Sequence, residues 1–335
     1  MSKTDNIQDP EIVILKRDDS DEFIELLMLC FGEGLERDRV NIAEVGKLMK
    51  KINKPIFRFI MKIMKVEMIN YAIKRDGKIV SALSLSTEKK EGTIGNVMTH
   101  PDYRRQGLAK KIFRKAVSDG KKLGLDKITL DVHAQNTGAI KLYEDEGFKR
   151  FYHTGKLMFD LSQNEISSND SVVLKEISKI NLEFYDSLLD VCFPQKMLEN
   201  RDRNKMAKDY IPNRFIKFIA EKAAGQKLYF YTLCKNTDNK TRGYLSASTS
   251  RIEDGLSIST PLVRNEDIDL VIPAISKLIS LITLDTNYLK LNLSMHRKAL
   301  IDEMLKAGFE LTNESLYMNI KFGEEKTKLG ETKDE

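Results

Sequence analysis

The chain of 335 residues contains no tryptophan, four histidines, seven prolines and three cysteines. The cysteines, Cys30, Cys192 and Cys234, form no Cys-x-x-Cys pair and no cluster with histidine. This pattern argues against a disulfide framework and against a metal site, and it favours a reducing cytoplasm. The absence of tryptophan also removes one of the side chains that stack on bases, which disfavours a nucleic-acid partner.

Long apolar segments are also missing. The two most apolar stretches, residues 23–31 and 271–284, are shorter than the roughly 20 residues of a membrane-spanning helix, and the second contains Lys277. Residues 1–6 are polar, which is not typical of a secretory signal. We therefore expect a cytoplasmic protein with no membrane partner.

Positive charge is concentrated in one part of the chain. The 55 basic and 50 acidic residues give a net charge of +5, too little to indicate nucleic-acid binding. Residues 67–160 hold 18 basic and 12 acidic side chains, so the excess lies near the middle of the sequence. Such an excess indicates either a solvated basic face or a site for a phosphorylated ligand.

The two halves of the sequence repeat each other. Residues 29–31 correspond to residues 191–193, and residues 146–149 to residues 307–310, with offsets of 162 and 161. Solenoid repeats are only about 20–50 residues long, so one repeat of this length predicts two copies of a single domain. We expect domains at residues 1–161 and 172–322, a polar linker at 162–171 and a disordered tail at 323–335.

Hydrophobic periodicity predicts alternating strands and helices, in the same order in both halves. Asp76-Gly77 between two β-branched segments is a hairpin signal. In the first half we expect strands at residues 11–16, 68–73, 79–86, 93–98, 127–132 and 150–161, and helices at 21–31, 36–65, 108–122 and 139–146. The pattern is that of an α/β fold.

The segment from residue 97 to residue 109 carries the strongest functional signal. A strand ends there, the chain turns at Pro101, and a helix begins near Gly107. Backbone N–H groups at a helix start have no intrahelical acceptor, and the helix dipole adds positive character, so a pyrophosphate fits such a site. Positive charge would come from Arg104, Arg105, Lys110 and Lys111.

Two motifs show a family resemblance. Residues 104–109 fit the pattern Arg/Gln-x-x-Gly-x-Gly/Ala, and residues 130–148 contain Leu130-Asp131-Val132, Asn136, Tyr143 and Gly147-Phe148. In these motifs the chain resembles the GNAT superfamily of acetyl-CoA-dependent N-acetyltransferases, and the repeat makes it similar to tandem-GNAT chains. The resemblance extends over residues 11–160. It implies, for each domain, a mixed, mostly antiparallel sheet flanked by helices, with acetyl-CoA as co-substrate and no metal.

The resemblance also implies roles for individual residues. The end of the 93–98 strand would bind the pantetheine arm, the loop would bind the pyrophosphate, and Asn136 would contact either the pantetheine or the helix that follows. The implied cofactor-binding residues are Val97, Met98, Thr99, Arg104, Arg105, Gln106, Gly107, Leu108, Ala109 and Asn136. An N–H such as that of Met98 would stabilise the acetyl oxygen.

Two residues are candidates for proton transfer. Tyr143 stands where the family often has a general acid near the sulfur of coenzyme A. Asp131, on the strand after the phosphate helix, has the spacing from this tyrosine at which some members carry a glutamate base. An aspartate is one methylene shorter, which favours transfer through water. The alternative is a structural carboxylate that is satisfied by neighbouring strand residues.

The second copy lacks these residues. Met304 corresponds to Tyr143 and Asn292 to Asp131, while residues 262–269 replace the phosphate loop with no glycine and three acids. We expect this copy to keep the fold without binding acetyl-CoA. It could complete the substrate pocket, since ligand sites favour domain interfaces. Cys30 and Cys192 occupy matching positions and are expected to be core residues.

The expected function is acetyl transfer from acetyl-CoA to a primary amine by direct attack, with a small molecule as acceptor. Two alternatives stay open: acetylation of peptide or protein N-termini or lysines, and a non-catalytic module that senses acetyl-CoA or an amine. The spacing of Asp131 and Tyr143 resembles that of enzymes that acetylate protein N-termini, whereas the tandem arrangement favours a small molecule. No motif indicates an oligomeric state.

One molecule of acetyl-CoA should bind per chain, because only the first copy has the phosphate loop. Calorimetric titration of the full chain measures this stoichiometry directly. Two sites per chain would show that the second copy keeps a cofactor site.

Overall fold

The computed structural model describes residues 11–52, 66–167, 169–282 and 286–323. Its strands form one sheet of 13 strands. They are β1 (Ile12–Ile14), β2 (Val66–Arg75), β3 (Lys78–Glu88), β4 (Glu91–Thr99), β5 (Lys127–His133), β6 (Lys149–Asp160), β7 (Val172–Glu176), β8 (Lys227–Lys235), β9 (Thr241–Thr249), β10 (Leu256–Ile258), β11 (Leu262–Val263), β12 (Tyr288–Ser294) and β13 (Glu310–Lys321).

Helices cover both faces of this sheet. They are α1 (Ser20–Arg37), α2 (Ile42–Ile52), α3 (Leu108–Lys122), α4 (Thr137–Asp145), α5 (Leu182–Cys192), α6 (Gln195–Leu198), α7 (Arg203–Tyr210), α8 (Arg214–Ala224), α9 (Val271–Leu281) and α10 (Lys298–Lys306). The expected tail lies outside the described residues, apart from Gly323, and so does most of the second half of the helical region predicted at 36–65. Within the described part of the chain, no helix has both the length and the apolar character to cross a bilayer.

The predicted hairpin is present between β2 and β3. Asp76 and Gly77 form its two-residue turn with φ values of 50° and 79°. Positive φ at both positions is the mark of a type I′ turn, whose twist matches that of the flanking strands. The predicted α/β fold with mostly antiparallel pairing is confirmed.

The two halves exchange their last strands. The strand order is β1-β2-β3-β4-β5-β13-β6-β12-β10-β9-β8-β7, and β11 pairs with β9. β13, from the end of the chain, therefore lies beside β5, and β6 from the first half lies beside β12. The two exchanged strands have the same length, so periodicity could not show which partner each would take. The domain boundary at residues 162–171 stays a prediction. It divides the sequence into two copies, whereas in the fold each half contributes a strand to the other half's part of the sheet.

An approximate two-fold axis passes between β6 and β13. These strands pair antiparallel, and Thr154 lies opposite Ser315. The two residues are also matched by the repeat offset of 161, so the repeat maps this pair onto itself. The duplication seen in the sequence is thus an internal symmetry of the sheet.

A lysine on each side of this axis fastens the halves together. Lys127 on β5 donates to the backbone carbonyl of Asn200, at 2.8 Å, and its ammonium lies 3.0 Å from Glu91. Lys290 on β12 donates to the carbonyl of Asp38, at 2.7 Å, and lies 3.4 Å from Glu253. At an offset of 162 Asp38 matches Asn200 and Glu91 matches Glu253, whereas the two lysines are 163 residues apart and are not matched by the repeat. Each lysine thus joins its strand to the helical layer of the other half.

The two faces of the sheet differ in polarity. We call the face that packs against α3, α4, α9 and α10 the back face; it carries the two largest apolar clusters. The front face is covered by α1 at one end and by α5, α6 and α7 at the other. Between these helices the front face carries polar side chains, among them Asp131 and Thr154.

Substituting Lys290 by methionine should destabilise the protein. Lys290 is 1% exposed, and its loss leaves the carbonyl of Asp38 without its donor, at a cost of about 1–3 kcal/mol. Urea unfolding measures the change. Lys306→Met, which removes an exposed lysine from α10, is the control and should leave the unfolding midpoint unchanged. An unchanged midpoint for Lys290→Met would contradict the fastening role.

Candidate active site

A gap separates β4 from β5 in the first half. The two strands run parallel and pair only from Glu91–Thr93 to Lys127–Thr129. Of the described residues beyond this point, 94–99 on β4 and 130–133 on β5 make no pairing with each other. The other edge of each strand is occupied, by β3 and β13 respectively. The facing edges therefore present backbone N–H and C=O groups that a ligand with amide groups can satisfy.

A β-bulge in β4 bends the strand at this gap. Asn96 has a φ of 52°, and the pairing of β4 with β3 shifts register on either side of it. The Asn96 side chain donates to Ser84, which in turn donates to Asn70 on β2. We did not single out Asn96 from the sequence. Its signal was the residue type, because asparagine adopts positive φ more readily than most residues.

The direction of the backbone groups identifies the N–H that faces the gap. The carbonyl of Met98 accepts from Ser81 on β3, at 2.7 Å, and the N–H of His100 donates to Val80 on the same strand. Because these groups alternate in direction along a strand, the N–H of Val97 points toward β5. We expected an N–H such as that of Met98 to meet the acetyl oxygen, and of the two neighbouring residues it is Val97 whose N–H is directed into the gap.

The loop after β4 is shaped for an anion. Arg105 and Gly107 have φ values of 64° and 75°, so the chain turns sharply into α3. The first helical hydrogen bond is donated by Lys111 to the carbonyl of Gly107, which leaves the N–H groups of the first turn available. Apart from the glycine and its two chain neighbours, no atom of the described residues lies within 4 Å of the position that a Cβ on Gly107 would take. Open space and free donors together fit a pyrophosphate.

Some charged side chains of this loop contact other protein groups, and others are free to contact a ligand. Arg104 donates through Nε to the carbonyl of Thr99, at 3.2 Å. Lys110 lies 3.5 Å from Glu146, which Arg114 also contacts, so this lysine is largely neutralised. Within the described part of the chain, the exposed Arg105 makes no ion pair. Arg104, whose acceptor is a neutral carbonyl, Arg105 and the helix start thus all contribute positive potential at the loop.

The remaining loop residues build the backbone frame. Leu108 is buried in the back-face core and anchors the start of α3. Gln106 reaches back to the carbonyl of Asp102 at 3.5 Å. Asn136 accepts from the N–H of Ala139 at 3.1 Å and caps α4, so of its two predicted contacts the structure shows the one with the helix.

Tyr143 lies on α4 behind the gap. It is 5% exposed and packs against Phe113, with 5.0 Å between ring centroids. Burial raises the pKa of its phenol well above the usual value, and the negative charge of Asp131 raises this pKa further. The group therefore stays protonated at neutral pH, and among the described residues its hydroxyl has no hydrogen-bond partner.

Asp131 lies on β5 and faces the front. It is solvent-exposed, yet the surrounding protein removes part of its hydration and raises the pKa of the carboxyl group. Tyr317 lies directly opposite it on β13, and the pKa of this phenol is raised by burial and by the charge of Asp131. Sequence reasoning missed Tyr317, because its position depends on the strand exchange.

The corresponding strands of the second half stay joined a little further along, and β11 then pairs with β9. β10 pairs with β12 as far as Leu291, and Thr260 then donates to the carbonyl of Asn292 at 2.6 Å. The phosphate loop is replaced by a 3-10 helix, Asn265–Leu270. Asp267 in this helix is 7% exposed, and burial raises the pKa of its carboxyl. These contacts support the expectation that the second copy binds no acetyl-CoA.

Other candidate groups have structural partners. Cys30 and Cys192 each donate to a strand carbonyl, of Thr99 and Val263, at 3.5 Å. His100 accepts from the N–H of Asp102 within the turn that precedes the loop. No group of three or more His, Cys, Asp or Glu side chains among the described residues is placed to hold a metal ion.

Two solved structures of acetyltransferases share this architecture. A tandem GNAT protein from the clavulanic acid biosynthesis pathway superposes with a TM-score of 0.61 at 14% identity, covering 94% of this chain and 99% of its own. A GCN5-related N-acetyltransferase from Sphaerobacter thermophilus gives a TM-score of 0.57 at 11% identity, covering 93% and 95%. At these identities the likeness shows the fold alone. The fold is that of a tandem GNAT protein.

Sequence comparison agrees for the first half. Residues 40–148 match the model of the acetyltransferase (GNAT) family. The [Ribosomal protein bS18]-alanine N-acetyltransferase of Escherichia coli K12 is 32% identical over 80 residues, which are 24% of this chain and 54% of that protein. N-alpha-acetyltransferase 30 of Saccharomyces cerevisiae is 35% identical over 74 residues, which are 22% and 40%. The chain thus spans about half the length of the first of these relatives, and its likeness to the GNAT acetyltransferase family in sequence lies in residues 40–148.

Replacing Gly107 by glutamate should abolish acetyl-CoA binding. The substitution places a negative charge and a side chain at a backbone position with φ of 75° that faces the expected pyrophosphate. Gly77→Glu is the matched control, because Gly77 has a φ of 79° and equally open surroundings in the distant hairpin. Calorimetry should show binding in Gly77→Glu only. Equal affinity in both variants would refute the assignment of the loop.

Proposed function

We propose that this protein is an acetyl-CoA-dependent N-acetyltransferase that acts on a primary amine. The observation that carries the proposal is the gap between β4 and β5. It leads from a phosphate-binding helix start, on the α3 side, to the carboxylate of Asp131 on the front face. Acetyl-CoA supplies the thioester, and the protein supplies the groups that position it and move protons.

Three groups of the chain would act at this gap. A lysine-like amine has a pKa of about 10.4 and must lose a proton before it attacks a thioester. Asp131 accepts this proton, directly or through a water molecule. The N–H of Val97 donates to the acetyl oxygen as negative charge develops there. Tyr143, kept protonated by burial, donates a hydrogen bond to the leaving sulfur.

We further propose that the acceptor is a small molecule, because polar and aromatic side chains of both halves enclose a cavity next to Asp131. A second candidate is the N-terminal amine of a peptide. It is favoured by two relatives, one named as an alanine N-acetyltransferase of ribosomal protein bS18 and the other as N-alpha-acetyltransferase 30. A panel of small amines and of short peptides, assayed by release of coenzyme A, discriminates the two.

Removing either proton-transfer group should lower turnover and leave acetyl-CoA binding intact. Tyr143→Phe should lower kcat by about 100-fold or more, the usual contribution of a positioned acid or base. Tyr229→Phe, in the second half, is the control and should behave like wild type.

Asp131→Asn should change the pH profile as well. The pKa of Asp131 is raised in the folded protein, so its base form is lost below a pH that lies above the ordinary range of aspartate. The acidic limb of kcat/KM should therefore start above that range in wild type and be absent in Asp131→Asn. If wild type and Asp131→Asn share one acidic limb, Asp131 is a structural carboxylate.

A further inference from the structure

A cavity of about 300 Å³ opens on the front face, between the two halves. The first half contributes β6 to its walls, and the second half contributes β13 and the other lining segments. Five aromatic residues line it: Tyr152, Tyr185, Phe193, Tyr210 and Tyr317. Hydroxyl and amide groups complete the lining, from Thr154, Ser248, Ser257, Ser259, Thr260 and Asn292. The described lining contains no acidic or basic side chain.

The cavity lies at the position in the second half that is equivalent to the position of Asp131 in the first half. Asn292, which lines it, is the residue that the sequence repeat matches to Asp131. The pairing of β10 with β12 and the hydrogen bond from Thr260 to Asn292 hold these two strands together beside the cavity, and a 3-10 helix stands in place of the phosphate loop.

The cavity is continuous with the proposed site of acetyl transfer. Tyr317 lines the cavity and lies opposite Asp131 on the neighbouring strand. Tyr152 lies on the next strand, with its ring 5.6 Å from that of Tyr317. Two strand spacings of about 4.7–4.9 Å place the cavity wall at Tyr152 roughly 10 Å from Asp131. A ligand in the recess could therefore reach Asp131 with a flexible chain of a few atoms.

The chemistry of the lining defines what fits. Burial raises the pKa of Tyr152, Tyr210 and Tyr317, so these phenols stay neutral. Nothing among the described lining residues would balance the charge of a carboxylate or phosphate, and an uncompensated charge is costly to bury. Aromatic rings favour a flat apolar body, and the surrounding hydroxyl groups can bond to uncharged polar substituents.

We propose that this cavity binds the body of the acceptor, and that the acceptor is an amine joined by a flexible chain to an uncharged aromatic or alicyclic ring. The inference rests on the proposed function, and it assigns the specificity pocket to the copy that has no cofactor site. The amine lies at Asp131, and the ring lies among the five aromatic side chains.

Direct binding tests the cavity without acetyl-CoA. The protein has no tryptophan, so Phe193→Trp introduces a single fluorescent reporter into the lining. In this variant, 4-phenylbutylamine should give a saturable change in fluorescence. Butylamine, which lacks the ring, and 4-(4-aminobutyl)benzoate, which adds a carboxylate, should each bind about tenfold more weakly or worse. Equal affinity for all three amines, or no response, would overturn the proposal.

Filling the cavity should have the same effect. Ser248→Met, in the Phe193→Trp background, adds a longer side chain to the lining far from Asp131 and should weaken 4-phenylbutylamine binding by about tenfold or more. Ser280→Met, an exposed position on α9, is the control and should bind like the parent. Ser259→Met fills the same cavity from a strand end and serves if Ser248→Met fails to fold, as judged by thermal unfolding and acetyl-CoA titration.

Turnover separates this inference from the proposed function. In Ser248→Met the KM for 4-phenylbutylamine should rise about tenfold, with the KM for acetyl-CoA unchanged. If 4-phenylbutylamine binds in the cavity but no amine is acetylated, the proposed function and the role of the cavity in acceptor binding are both refuted. The cavity would then be a ligand-binding site only. Transfer that is insensitive to Ser248→Met, or that is sensitive for a peptide but not for 4-phenylbutylamine, would overturn the inference.

Discussion

The antiparallel pairing of β6 with β13 is the contact on which the rest of the structure depends. It joins the two halves into one sheet, because each of these strands also pairs with a strand of the opposite half. Backbone groups in the middle of a sheet must find partners, and the exchange satisfies both edges of both strands. Lys127 and Lys290 then tie the helical layers across the same axis.

This arrangement leaves one pair of strand edges unsatisfied. β4 and β5 have their outer edges filled, and the bulge at Asn96 keeps their inner edges apart. The gap joins a helix start that favours anions to a front face that carries a carboxylate. Tyr143 and Asp131 lie on opposite sides of the sheet, and loss of hydration raises the pKa of each.

The two copies have diverged in complementary ways. The first copy keeps a glycine at positive φ and an open strand gap, while the second joins its strands through Thr260 and replaces the loop with a 3-10 helix. What the second copy retains is the recess on the front face, lined by aromatic and hydroxyl groups. On our proposals, cofactor binding and acceptor binding would thus be divided between the halves.

The sequence by itself determined the local elements and the cofactor loop. The hairpin at Asp76-Gly77, the strand before residue 100 and the helix after Gly107 all depend on residues close together in the chain. The same holds for the loss of Tyr143 and Asp131 in the second copy, which follows from the repeat. Only the tertiary structure decided that the last strands are exchanged and that Tyr317 therefore lies beside Asp131. It also decided that the backbone N–H of Val97, rather than that of Met98, faces the gap. The exchange and the position of Tyr317 depend on which of two similar strands pairs with β5, and pairing between strands so distant in the chain is set by the packing of the whole sheet rather than by local pattern. The direction of the Val97 N–H depends on the bulge at Asn96 and on the pairing of β4 with β3.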